Sequence, residues 1–109
     1  MRMKLPTAIA GYFAADRDRD AAAIPQHFTE HAVVRDEGRL HTGREAIQTW
    51  MSQSWKKYRA TTEPFAIADQ GSATVVTSHV EGDFPGSPLD LRYRFVLEGD
   101  LIARLEVTP

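Results

Sequence analysis

The sequence predicts an α+β domain in which N-terminal helices pack on one face of a curved antiparallel sheet, and three observations carry that prediction. Apolar residues recur at helical spacing up to Tyr58 and at every second position after it. The stretch "TGRE" at 42–45 has the spacing of a capping box, in which Thr42 and Glu45 each bond the other's backbone N–H at the start of a helix. "LDLRYRFVL" at 89–97 alternates, turns through "EGD", and is followed by "LIARLEV", which alternates again. Helices gathered in the first half and strands in the second describe α+β rather than α/β.

Each element follows in order. Leu5, Ile9, Tyr12 and Phe13 form one stripe of a first helix running from Pro6 or Thr7 to about Asp16. The basic head and apolar stretch of "MRMKLPTAIAGYFAAD" look like a secretory leader, but Pro6, Thr7 and the helical spacing favour an amphipathic first helix. The charged run "DRDRD" at 16–20 reads as a solvated connection. Asp20 can cap a second, shorter helix over "AAAIPQHF", which Pro25 should bend or shorten.

A strand "AVVRD" at 32–36 then reaches the turn "DEGR" and the segment "LHTG". The third helix should start at about Gly43 and bury Ile47, Trp50, Met51, Ser54, Trp55 and Tyr58. "RATTEPFAIADQ" is a strand that Pro64 restricts to an edge or a bulge. After "DQGS" the chain returns through "SATVVTSHVEGDF" and the wide turn "PGSP". In the last hairpin Leu89, Leu91, Tyr93, Phe95 and Leu97 face inward, as do Leu101, Ala103, Leu105 and Val107. Residues 1–109 make one domain without repeats. A sheet curled around helices encloses a cone, either filled by side chains or left as a pocket.

Composition narrows the function. A hydrophobic share of 42%, a charged share of 26% and a formal charge of -2 are those of an ordinary soluble protein. They leave no basic footprint for nucleic acid or anionic membrane. With 0 cysteines, disulfides, thiolate catalysis and the usual zinc clusters are excluded, and a cytoplasmic location is expected. No segment approaches the length of a membrane span. Without a phosphate loop, dinucleotide fingerprint or nucleophile elbow, no cofactor is expected.

Two residues could carry chemistry. Asp36 closes a strand lined by Ala32 and Val34. It is either the first residue of a turn or a carboxylate at the mouth of the cone, where desolvation would make it a general base. Tyr12 shares the stripe of Ile9 and Phe13, so its phenol points inward, to a core partner or to a developing oxyanion. Trp50 and Trp55 are core or cavity wall. His27 and His31 are separated by a helix end, which argues against a metal pair. His41 precedes the capping box and is expected to be exposed. His79 shares the polar outer row with Thr77, Glu81 and Asp83. On that face Arg92, Arg94, Arg104, Glu81 and Glu106 can pair across strands, which suits a surface or a wet dimer interface.

Two helices, the motifs "F-x-x-x-A-V-V-x-D" and "G-R-E-A-I", and the closing "GDLIARLEV" together resemble the SnoaL-like branch of the nuclear transport factor 2-like superfamily. The resemblance implies a cone-shaped, cystatin-like α+β fold, usually a homodimer. It is poor for activity, since the fold hosts isomerases, polyketide cyclases, epoxide hydrolases, dehydratases and non-catalytic binders. The stretch from "GYFAADRDRDAAAIPQHF" to "AVVRD" is similar to ketosteroid isomerase, which implies that Tyr12 is an oxyanion donor and Asp36 the general base. That enzyme's second donor, a late-strand aspartate, is unmatched: Asp90 stands several residues early, and Tyr93 and Phe95 occupy its place. The paired His and Asp of the cyclases are also not recognisable. The expectation is an isomerase or cyclase acting on a small apolar carbonyl compound held by Phe13, Trp50, Trp55 and Tyr93. The alternative is a non-catalytic ligand-binding or dimeric structural module with a packed cone.

Overall fold

The computed structural model describes residues 4–109; residues 1–3, the basic head of the leader-like start, lie outside it. Along the chain come α1 (Thr7–Arg17), a 3-10 turn (Ile24–His27), β1 (Phe28–Asp36), β2 (Arg39–Thr42) and α2 (Arg44–Tyr58). Then follow β3 (Thr61–Gln70), β4 (Ala73–Glu81), β5 (Leu89–Glu98) and β6 (Leu101–Thr108). The strands form one open sheet in the order β2-β1-β6-β5-β4-β3. Both helices pack on its concave side, as the change of period predicts.

Most expectations hold, and the departures have local causes. The second helix is reduced to a turn and the 3-10 segment. Asp20 Oδ1 accepts the Ala23 N–H at 3.3 Å within the turn, but the 3-10 segment itself starts on Ala23 with no side-chain cap, Pro25 supplies no N–H, and the strand begins directly after His27. The capping box does not form. Thr42 is held in the ladder opposite Val33, and Gly43, at φ 89, takes the N-cap position with no side-chain bond. Gly43 N–H bonds Ala32 O at 2.8 Å instead, tying the helix start to β1.

Strand β3 is an edge strand and also shifts register between Pro64 and Ala66, because proline cannot donate to the ladder. In β6 the strict alternation fails. Val96 pairs with Arg104 and Leu97 with Ile102, leaving Ala103 as an extra residue. The bulge turns Ile102 into the core, fully buried, in place of Leu101 and Ala103.

One pairing was not legible as a meander: β1 lies parallel to β6, with Asp36 opposite Val107. Beyond Asp36 the chain reverses through Glu37 and Gly38, both at positive φ (53 and 74), the geometry of a tight two-residue hairpin turn.

The closed end of the cone is solid. Ile9, Ile24, Phe28, Val34, Phe95, Ile102 and Leu105 are all fully buried there. Each such side chain contributes roughly 1.5–3 kcal/mol by leaving water. Tyr12 roofs this cluster, edge-on to Phe28 at 6.0 Å and to Phe95 at 5.7 Å. On the convex face Arg94 stands opposite Glu106. Among the described residues, however, the ion pairs there centre on His79, which meets Asp90 at 3.0 Å and Glu81 at 3.6 Å. No helix among the described residues is long and apolar enough to cross a membrane.

Candidate active site

The open end of the cone is a cavity of about 460 Å³, and Tyr12, Asp36, Trp50, Trp55 and Tyr93 all line it. The question left by the sequence, filled cone or pocket, is thereby answered as pocket. It is large enough for a molecule of two or three rings.

Strand periodicity places Asp36. Ala32 and Val34 point inward and are fully buried, so the next alternate residue points the same way. Its Oδ2 accepts the indole N–H of Trp50 at 3.0 Å. The turn and the inward carboxylate are thus compatible: Glu37 and Gly38 bend the chain, while Asp36 serves the interior. Burial pushes the Asp36 carboxyl above its ordinary 3.8. The Trp50 hydrogen bond works against this, and so, more weakly, does the nearby His41.

His41 corrects an expectation. It stands opposite Val34 in the β1–β2 ladder and therefore on the inner face, with its ring 5.9 Å from that of Trp50. It is half-buried rather than exposed. The register opposite an inward valine was the signal for it.

Helical periodicity places Tyr12. It is 1% exposed, and the best partner of its hydroxyl is Met51 Sδ at 3.8 Å, a weak acceptor. Burial, with Tyr93, Asp16 and Asp36 as neighbours, holds its phenol protonated well above the usual range. It can therefore donate a hydrogen bond at any physiological pH. Tyr93 is a second buried phenol, pushed up chiefly by burial. It stands where the sequence comparison found no carboxyl, while Asp90 lies on the outer face bonded to His79.

Phe13 is not part of the cavity wall. It packs edge-on against Tyr12 at 5.1 Å and Tyr93 at 5.3 Å, behind the lining residues. It therefore helps to fix the orientation of those two rings.

The residue that the sequence reading missed is Asp16. Taken there as the start of a solvated run, it is only 6% exposed and lines the cavity. Its Oδ1 accepts the Trp55 indole N–H at 2.8 Å, and Arg19 Nη1 lies 3.8 Å away. Burial raises its carboxyl above the ordinary 3.8, against Trp55, Arg19 and the Thr62 hydroxyl. Its signal was its position four residues after Tyr12, on the same helical stripe. Arg19 is fixed by donating to Ala60 O at 2.6 Å and by lying over the Trp55 ring. At the mouth Tyr58 donates to Glu37, joining the end of α2 to the β1–β2 turn.

The site thus offers two carboxyls, each oriented by an indole of α2, and two protonated phenols, set in walls of Met51, Val80 and Leu91. Such a set can move protons and stabilise an oxyanion. No group of three or more metal-ligating side chains gathers among the described residues.

Residues 9–105 match the SnoaL-like domain family. Among solved structures, a candidate polyketide cyclase from Sinorhizobium meliloti is 38% identical, with a TM-score of 0.92 over 95% of each chain. A protein of ketosteroid isomerase-like fold from Catenulispora acidiphila, in complex with trimethylamine, is 17% identical. It has a TM-score of 0.83 over 97% of this chain and 87% of that one. An NTF2-like protein from Cytophaga hutchinsonii is 14% identical, with a TM-score of 0.77 over 99% of this chain and 93% of that one. These last two share the fold alone. No curated protein is significantly similar in sequence.

Proposed function

The chain belongs to the SnoaL-like domain family, and from that premise we propose that it is an isomerase or cyclase acting on a small apolar carbonyl compound, with Asp36 as general base. The observation that carries this reading is the shared cavity: Asp36 and Tyr12 line the same partly enclosed hollow, the one ready to accept a proton and the other to donate a hydrogen bond. The likeness to a candidate polyketide cyclase over nearly the whole chain supports it.

In the proposed reaction the substrate's carbonyl oxygen displaces the weak Tyr12 contact with Met51. The Asp36 carboxylate removes a proton from the adjacent carbon, and the electron pair moves onto oxygen as an enolate. Tyr12 stabilises that enolate, with Tyr93 as the second phenol nearby. Trp50 fixes the carboxylate while its ring helps to exclude water. The enolate is then reprotonated elsewhere or attacks a second carbonyl.

The test needs no known product. Small ketones are incubated with the protein in D2O, and deuterium entry next to the carbonyl is followed by NMR. Exchange in the wild type that Asp36→Asn removes, with no fall in melting temperature, is the expected result. A wild type that binds ketones without exchange would leave the non-catalytic binding module as the function.

The homodimer that accompanies the family reading would bury the outer face of the sheet. Phe65 and Ile67, exposed on edge strand β3, add apolar surface at the edge of that sheet. Light scattering should give about twice the 12.2 kDa chain mass.

A further inference from the structure

We propose that Asp16 is a second proton-transferring residue of the cavity, serving a different position of the same substrate from Asp36, and that the substrate is accordingly a linear dicarbonyl compound. This rests on the proposed function and goes beyond it, since that reading needs only one carboxyl.

The geometry is a repeated device. Asp36 at the end of β1 accepts the Trp50 indole N–H at 3.0 Å, and Asp16 on α1 accepts the Trp55 indole N–H at 2.8 Å. The two tryptophans are five residues apart on α2, a rise of about 7.5 Å along the helix axis. Both carboxyls line the same hollow. The ion pair alone does not account for Asp16, because its cationic neighbour, Arg19, is 3.8 Å away and its side chain is 39% exposed. A carboxyl 6% exposed, bounded by two phenols and an indole, is held there at a desolvation cost that a surface position would avoid. The titratable and charged groups that face it are Tyr12 from α1, Tyr93 from β5 and Arg19 from the segment after α1.

The step balances without an oxidant or co-reactant. Asp36 takes the proton as the C–H bond next to the first carbonyl breaks. The enolate carbon bonds to the second carbonyl carbon, whose π pair moves onto its oxygen. The carboxyl proton of Asp16 goes to that oxygen, giving a hydroxyketone and leaving Asp16 ionised. Both carboxyls return to their starting states by exchange with water at the mouth.

The probe is acetonylacetone, a linear diketone that closes to a hydroxyketone and, with loss of water, to a methylcyclopentenone. Deuterium entry beside the carbonyls and ring closure are followed together by NMR. Asp36→Asn should lose both. Asp16→Asn should lower closure by about 10²–10⁴-fold more than it lowers exchange. Should Asp16→Asn fold poorly, Trp55→Phe retains a ring and removes only the N–H. Because that N–H favours the ionised carboxyl, its loss should move the high-pH limb of closure to higher pH, which a packing role for Trp55 would not do. Closure at the wild-type rate in Asp16→Asn, or an unmoved limb in Trp55→Phe, overturns the inference and leaves Asp36 as the only proton-transferring carboxyl. Absence of exchange in the wild type instead removes the proposed function itself, and the two failures are therefore distinguishable.

Discussion

The two ends of the cone are built from different kinds of side chain. The closed end is Ile9, Ile24, Phe28, Phe95, Ile102 and Leu105, which carry no polar atom and are fully buried. The open end is lined by Tyr12, Trp50, Trp55, Tyr58 and Tyr93, apolar rings that each carry an O–H or N–H. Purely apolar side chains interdigitate to the density of an organic crystal. Tyrosine and tryptophan need partners for their tips, and here several of those partners are carboxylates. The difference between stability and chemistry in this molecule is therefore a difference of side-chain type within one continuous core.

Substitutions should divide along the same boundary. The largest effect is expected from Asp36→Asn, which keeps an acceptor for Trp50 but not a base. It should lower deuterium exchange by three to four orders of magnitude, about 4–5 kcal/mol in activation free energy, without lowering the melting temperature. At the other end Phe95→Ala should cost about 3–5 kcal/mol of stability, read from the midpoint of urea unfolding, because the packed cluster cannot collapse into the space. Catalysis in whatever remains folded should survive.

The pH dependence sharpens the contrast. Exchange needs ionised Asp36, so it should rise with pH through a midpoint above the ordinary carboxylate value of 3.8. Stability should run the other way. With its folded value raised, Asp36 favours the native state fully below its unfolded value and loses that contribution as pH rises through the folded one. Thermal melts of the wild type and Asp36→Asn across that range should converge at the acid end. The smallest effect is expected from Thr42→Ala. A working N-cap is worth roughly 1 kcal/mol, but Thr42 caps nothing here, so its loss should lie within about 0.5 kcal/mol, as for an ordinary surface change.

Much of this was legible from residue spacing. The switch from a period of 3.6 to one of 2 after Tyr58 located the boundary between helix and sheet, and the alternation of Ala32, Val34 and Asp36 contained the inward carboxylate. Asp16 was hidden because composition and periodicity disagreed over it. The surrounding "DRDRD" reads as solvent-facing, whereas its spacing from Tyr12 reads as buried, and tertiary packing against Trp55 favours the second. The β6 bulge and the parallel pairing of β1 with β6 depend on contacts between segments distant in sequence, which local pattern does not encode. His41 is different: its inward direction is set locally, by the tight β1–β2 hairpin that places it opposite Val34.

The position of β6 also governs how the molecule can be made. Strands β2 and β1 form one ribbon and β3, β4 and β5 another, and β6 is the strand that joins them. It is also the strand that leaves the ribosome after all the rest. Until then the nascent chain holds two unjoined ribbons with open edges, exposed to chaperones and to wrong partners. The hollow that holds Asp36 and Tyr12 therefore comes into being in a single closing event, when β6 joins the two ribbons.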